Sequence, residues 1–205
     1  KGETWTPRFL WNAKMRFWKT FATYQLAKKM ERKKVLVLTF KPAVEVAREE
    51  DLKHHIDFEG WQFVSKKEEN TDSFDKDKPI VCFGSFQDYL GTDEFWNIKA
   101  NNKRVHETHR DVVVFDEYHY GAWRENAKGL FDVKEDKSID LEDSDENIDI
   151  LNIEEAEKNI PIETDYYLYL SWTPFRAINT GEFIEEQIFN RTYSDEQKSK
   201  AERDS

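Results

Sequence analysis

Short, continuous apolar runs punctuate an otherwise polar chain: Phe9-Leu10-Trp11, Val35-Leu36-Val37-Leu38, Ile80-Val81-Cys82-Phe83, Val112-Val113-Val114-Phe115 and Tyr167-Leu168-Tyr169-Leu170. Each is rich in β-branched or aromatic residues and lacks the alternation of a half-exposed strand, so each is predicted to be a strand covered on both faces. Trp61-Gln62-Phe63-Val64 is a weaker sixth candidate. Between the runs lie stretches of helical composition, Thr20 to Glu31, Pro42 to Lys53, Ser85 to Leu90 and Ala122 to Phe131, with Pro42 suited to a first helical turn. Strand and helix alternate, which predicts an α/β domain with a mostly parallel central sheet and helices in layers on it. Ligands of such sheets bind outside the carboxyl ends of the strands, so chemistry is sought there. Lys66 to Lys78 reads as a polar loop, and no internal repeat is visible.

A chain of 205 residues has room for one domain of ordinary size. Charged residues reach 36%, but 15% aromatic residues argue for a folded body that carries a polar appendage. That appendage is the segment from 132 to 161, a low-complexity acidic insertion containing Asp140-Leu141-Glu142-Asp143-Ser144-Asp145-Glu146. Its carboxylates lack the glycine and closing glutamate of a calcium-binding loop in register. The net charge of −11 is unevenly spread. Positions 132 to 163 hold 13 acidic and 3 basic residues, whereas positions 1 to 41 hold 11 basic and 2 acidic. The basic excess lies where an anionic ligand is expected below, so the acidic total does not exclude a nucleic-acid partner. One cysteine, Cys82, rules out an internal disulfide framework and suggests a reducing, cytoplasmic setting. No apolar run is long enough to predict a membrane span.

Three strand ends carry candidate chemistry. Ala13-Lys14-Met15-Arg16-Phe17-Trp18-Lys19-Thr20 follows a predicted strand and opens a predicted helix, the placement of a phosphate-binding loop. Such a loop needs inward backbone N–H groups, a lysine for the β- and γ-phosphates and a hydroxyl for Mg²⁺; Lys19 and Thr20 supply the last two. The second end is Val112-Val113-Val114-Phe115-Asp116-Glu117-Tyr118-His119, an apolar strand closing in adjacent carboxylates. One can hold Mg²⁺ and the next can orient and polarise the attacking water. The third is Tyr167 to Leu170 followed by Ser171-Trp172-Thr173.

The order of Lys-Thr loop, Asp-Glu-x-His strand and Ser-x-Thr strand resembles superfamily-two DEAD/DEAH (DExH) helicases. It looks most like the ATPase lobe of the restriction subunit of type III restriction enzymes. The likeness runs from about Arg8 to Arg191, the acidic insertion excepted. It implies a RecA-like P-loop NTPase lobe over 1–191, three-layered, with 192–205 a charged tail leading to a second lobe that this chain lacks. It implies ATP and Mg²⁺ as cofactors and an ATP-dependent helicase or translocase of a restriction-modification system. The partners would be nucleic acid, double-stranded DNA foremost, the second lobe and a methyltransferase or specificity subunit; the isolated fragment would be inactive. Position by position, Ala13 to Thr20 would cradle the nucleotide. Lys19, Asp116 and Glu117 would be catalytic, and Thr20 and Asp116 would hold the metal. His119, Ser171 and Thr173 would couple nucleotide state to the other lobe. Thr39-Phe40-Lys41 and the pair Ser85 and Gln87 would touch the nucleic-acid backbone; their plainer readings are a helix cap and a turn.

Trp18 and Trp172 stand where the resembled family has glycine. A phosphate loop wraps its anion closely, often with positive φ, and an indole has no room there. Trp96 after Phe95 extends the pattern, and seven tryptophans match seven glycines. Two explanations stay open: UGA codons that the source organism reads as glycine, or a degenerate module that binds nucleic acid without hydrolysing ATP. His106-Glu107-Thr108-His109 sets its histidines three apart and misses zinc-protease geometry. His54-His55 reads as a solvated helix end, and Cys82 as core, with no basic group near it in sequence.

Overall fold

In the computed structural model the described residues are 6–13, 19–39, 42–71, 73–86, 89, 107–116, 162–171 and 183–191. Their framework is a seven-stranded, all-parallel sheet. The strands are β1 (Arg8–Ala13), β2 (Lys34–Thr39), β3 (Gln62–Ser65), β4 (Ile80–Ser85), β5 (Arg110–Asp116), β6 (Thr164–Ser171) and β7 (Ile188–Arg191). Across the sheet they run β3-β4-β2-β5-β6-β1-β7. All six anticipated strands form. The expected α/β class with a parallel central sheet is therefore met, with β6 inserted between the strand that leads to Lys19 and the strand that ends in Asp116.

The apolar runs of β2, β4 and β5 are continuous because both faces of the sheet are covered there; β1 departs from the expectation, with Phe9 exposed and Trp11 half-buried. Leu36 and Leu38 of β2, Cys82 of β4, Val113 and Phe115 of β5, Tyr169 of β6 and Leu10 of β1 fall on one face and share a core with Phe86, Tyr89 and Phe183. The alternate residues, Val35, Val37, Val81, Phe83, Val112, Val114, Leu168 and Leu170, fall on the other. Each buried aliphatic or aromatic side chain contributes on the order of 1.5–3 kcal/mol relative to exposure.

Helix α1 (Lys19–Lys29) covers the second face through Thr20, Thr23, Tyr24 and Ala27, which recur at helical spacing. It stops where Glu31 takes a left-handed φ of 56°. The N–H of Arg32 then returns to the Ala27 carbonyl at 2.8 Å and that of Glu31 to the Lys28 carbonyl at 3.0 Å, which satisfies the last turn. Helix α2 (Glu45–Lys53) follows a 3-10 turn over Pro42–Val44 and buries Leu52. Phe58, Phe21, Tyr24 and Trp61 meet edge-on and seal that side.

Two expectations need correction. The loop expected from Lys66 begins instead with helix α3 (Lys66–Asn70), because Ser65 and Glu68 form a reciprocal capping box. Ser65-Lys66-Lys67-Glu68 carries the start signal, with the box formed by its first and last residues. Ser85, taken as the start of a helix, belongs to β4, with helical backbone at Phe86 and Tyr89. β7 was not anticipated. The expected helix over 122–131, the insertion over 132–161 and the tail over 192–205 lie outside the described residues. No helix among the described residues is long and apolar enough to cross a membrane.

Candidate nucleotide site

Because every strand runs the same way, all seven carboxyl ends lie along one edge of the sheet. Register aligns their last residues: Thr39 pairs with Ser85 on one side and with Asp116 on the other, and Asn12 pairs with Ser171 and with Asn190. The interior below is apolar, so the polar tips are the exception to the strand pattern. Thr39, Ser85, Asp116 and Ser171 are buried there, with Lys19 and Thr20 at the start of α1.

Thr20 Oγ1 donates to Asp116 Oδ2 at 3.1 Å, joining residues 96 positions apart. Thr23 Oγ1 returns to the Lys19 carbonyl at 3.0 Å and ties down the first turn of α1. Ala13, the last residue of β1, is fully buried. A hydroxyl beside a carboxylate is a hard-oxygen donor set that suits Mg²⁺, which completes its octahedron with water and substrate phosphate. Among the described residues no three His, Cys, Asp or Glu side chains gather as a metal cluster, and what those residues offer such a site is this pair.

Asp116 is only 1% exposed, and burying a carboxylate is costly unless it is matched. Besides Thr20, the match includes Arg48 of α2, whose Nη2 lies 3.4 Å from the same Oδ2. Arg48 Nη1 faces Asp51 at 3.7 Å. Tyr24 sits in the field of all three. Burial pushes its phenol well above the ordinary value, Arg48 pulls it down, and Asp116 and Asp51 push it up. Sequence reasoning missed Arg48 and Asn190. Asn12 Nδ2 donates to Asn190 Oδ1 at 2.8 Å, clasping the tips of β1 and β7 just before Ala13.

The structure thus brings Ala13, Lys19, Thr20, Thr39, Ser85, Asp116 and Ser171 to the carboxyl edge. Lys14, Met15, Arg16, Phe17, Trp18, Phe40, Lys41, Gln87, Glu117, His119, Trp172 and Thr173 lie outside the described residues.

No family model matches the chain. It is 33% identical over 211 aligned residues to a Mycoplasma pneumoniae protein described as "Putative type II restriction enzyme and methyltransferase RM.MpnORF110P C-terminus". The alignment takes in 95% of this chain, which spans 29% of the length of that relative. Among solved structures it is similar to the SWI2/SNF2 ATPase core of Sulfolobus solfataricus in complex with double-stranded DNA, at a TM-score of 0.49 and 19% identity. That superposition covers 84% of this chain and 29% of the other. The curated relative is named as type II, so the likeness to restriction enzymes holds at the level of restriction-modification and not of type III.

The other candidates resolve as structure. His109 Nε2 lies 3.0 Å from Asp165 Oδ1, and His55 accepts from the Asp57 N–H as a turn cap. Cys82 is fully buried, as expected, but a basic group does reach it: Arg110 Nη1 stands 3.2 Å from its Sγ. Twenty-eight positions separate the two, which is why sequence proximity did not disclose it.

Proposed function

We propose that this chain is the first ATPase lobe of a DNA-dependent helicase or translocase within a cytoplasmic restriction-modification enzyme. The observation that carries the proposal is the 3.1 Å contact between Thr20 and Asp116 at the carboxyl edge, with Lys19 next to it. Those residue types, meeting at the head of a helix that follows a strand, are what a magnesium-bound triphosphate requires. The likeness to a restriction enzyme over nearly the whole chain supports the setting.

In this scheme Lys19 grips the terminal phosphates, and Thr20 and Asp116 hold Mg²⁺. When bound, the metal offsets charge on the phosphate oxygens as the terminal bond breaks. Glu117, next after Asp116, orients and polarises the attacking water. His119, Ser171 and Thr173 carry the change of state to a second lobe. Thr39, Phe40, Lys41, Ser85 and Gln87 would line the nucleic-acid path. A type III organisation with a separate methyltransferase subunit is the finer form of the proposal, as is a domain boundary near 191.

The test is ATP hydrolysis by the full-length protein carrying glycine at position 18, with and without double-stranded DNA. DNA should stimulate it, and Glu117→Gln should abolish turnover while ATP still binds. DNA-independent turnover, or full activity in Glu117→Gln, would sink the motor reading. Trp18 and Trp172 favour a second reading, a module that binds DNA in a salt-sensitive way and has no affinity for nucleotide. A UGG codon at position 18 would select it, and a UGA codon read as glycine would remove its basis.

A further inference from the structure

We propose that Arg48 is a resident counter-cation on the Asp116 carboxylate, which an entering divalent metal ion must displace, and that Asp51 is the seat to which it retires. The proposal rests on the reading of Thr20 and Asp116 as metal holders.

Three features carry it. Arg48 and Thr20 converge on one oxygen, Asp116 Oδ2, at 3.4 and 3.1 Å. That carboxylate is almost wholly buried, while the Arg48 side chain keeps 20% exposure and so has an open side to move toward. The same guanidinium already leans on a second carboxylate, Asp51, at 3.7 Å and three residues along the same helix. Leaving Asp116 therefore strands no charge: a shift toward Asp51, which is 39% exposed, keeps the arginine paired and wetter.

The physical reason for displacement is charge. A divalent cation held by Asp116, directly or through a water, adds positive charge to an oxygen that a guanidinium already neutralises, and the two repel at close range. Without a triphosphate to supply compensating anions, the arginine holds the site and the metal binds weakly. With a triphosphate present, the balance reverses and Arg48 moves outward. The latch would keep free Mg²⁺ from occupying the site alone, and it would couple metal entry to movement of α2.

The probe is Mn²⁺ alone, titrated into the complete nucleotide-free chain and followed by electron paramagnetic resonance. A neighbouring opposite charge shifts carboxylate equilibria by one to three decades, so Arg48→Ala should bind Mn²⁺ about tenfold more tightly than wild type. Asp51→Asn, which removes the alternative seat, should bind it more weakly. Should Arg48→Ala not fold, Arg48→Gln keeps most of the side-chain length and carries the same expectation. Unchanged or weaker Mn²⁺ binding in the folded arginine variant would overturn the latch. Asp116→Asn separates the two failures. If that change leaves Mn²⁺ binding intact in every background, the metal-site reading itself falls. If it abolishes binding while the arginine variant shows no gain, only the latch falls.

Discussion

Among the described residues two arginines face buried carboxylates, Arg110 at the amino end of β5 and Arg48 on α2 beside the carboxyl ends of the strands, and they are held in different ways. Arg110 and Glu69 are 1% and 3% exposed and directly bonded. Tyr89 Oη donates to the other Glu69 oxygen at 2.8 Å, and Cys82 lies against the guanidinium. Burial works against the Arg110 charge, but Cys82 and Glu69 outweigh it and hold the pKa above its ordinary value. Burial, Cys82 and Glu69 likewise push the Tyr89 phenol well up, so it stays a neutral donor. Arg48 instead divides itself between two carboxylates at 3.4 and 3.7 Å with one flank in solvent. The first arrangement is closed and has no way to reorganise without stranding a charge. The second has somewhere to go. Buried ion pairs in one fold can therefore serve as a fixed strut or as an exchangeable contact, and the number of available partners tells them apart.

The sharpest way to break this contrast is to remove the strut. Glu69→Ala leaves the Arg110 guanidinium buried without its anion and should lower stability by about 3–5 kcal/mol in denaturant unfolding. A loss below about 1 kcal/mol, as at a surface pair, would show that the pair is not structural. Next comes the glycine under Tyr89. A Cβ at Gly84 would lie 2.2 Å from the ring carbon Cε2 of a fully buried tyrosine whose hydroxyl is already bonded. Gly84→Ala should cost about 1–3 kcal/mol by overpacking, and a neutral result would mean that the ring can swing away.

Double-mutant cycles then compare the two pairs directly. The coupling between Arg48 and Asp116 in metal-free buffer should be about 1–2 kcal/mol, the size of a tenfold effect, and under that of Arg110 with Glu69. Equal couplings would erase the distinction. The smallest effect concerns α3, which presents Glu69. Glu68 accepts from Ser65 N–H and Oγ, each at 2.8 Å, and these bonds hold its carboxyl below the usual range. Its folded pKa lies below its unfolded one, so its contribution is present above the unfolded value and fades as pH falls through the folded value. Glu68→Gln should cost about 1 kcal/mol at neutral pH, as cap losses do, and progressively less in acid. A pH-independent loss in thermal unfolding would assign the effect to something other than the carboxylate.

The sequence disclosed what depends on continuous pattern. β5 was legible because Val112 to Phe115 is apolar without interruption, as suits a strand covered on both faces, and Asp116 closes it at the carboxyl edge. Lys19 and Thr20 were legible by their position after β1. Arg48 was not, since Arg48-Glu49-Glu50-Asp51 reads as a solvated helix face and only tertiary folding turns one of those charges inward. The α3 helix escaped because five polar residues carry no apolar period, although the cap signal was present. Ile188 to Arg191 escaped because two apolar residues are too few to mark an edge strand. The Arg110 strut joins residues from β4, β5, α3 and Tyr89, and no local window contains it.

The order of the sheet also has a consequence for biosynthesis. β1 is synthesised before β2 to β5, yet its only strand partners among the described residues are β6 and β7, which follow all of those strands. At about 5–20 residues per second, β1 waits on the order of ten seconds for a neighbour. Meanwhile β2, β3 and β4 can assemble among themselves and receive β5 as it emerges. Leu10 and Trp11 must be kept from wrong partners throughout that interval, and a nascent chain halted before Thr164 would hold half a sheet with its first strand still unplaced.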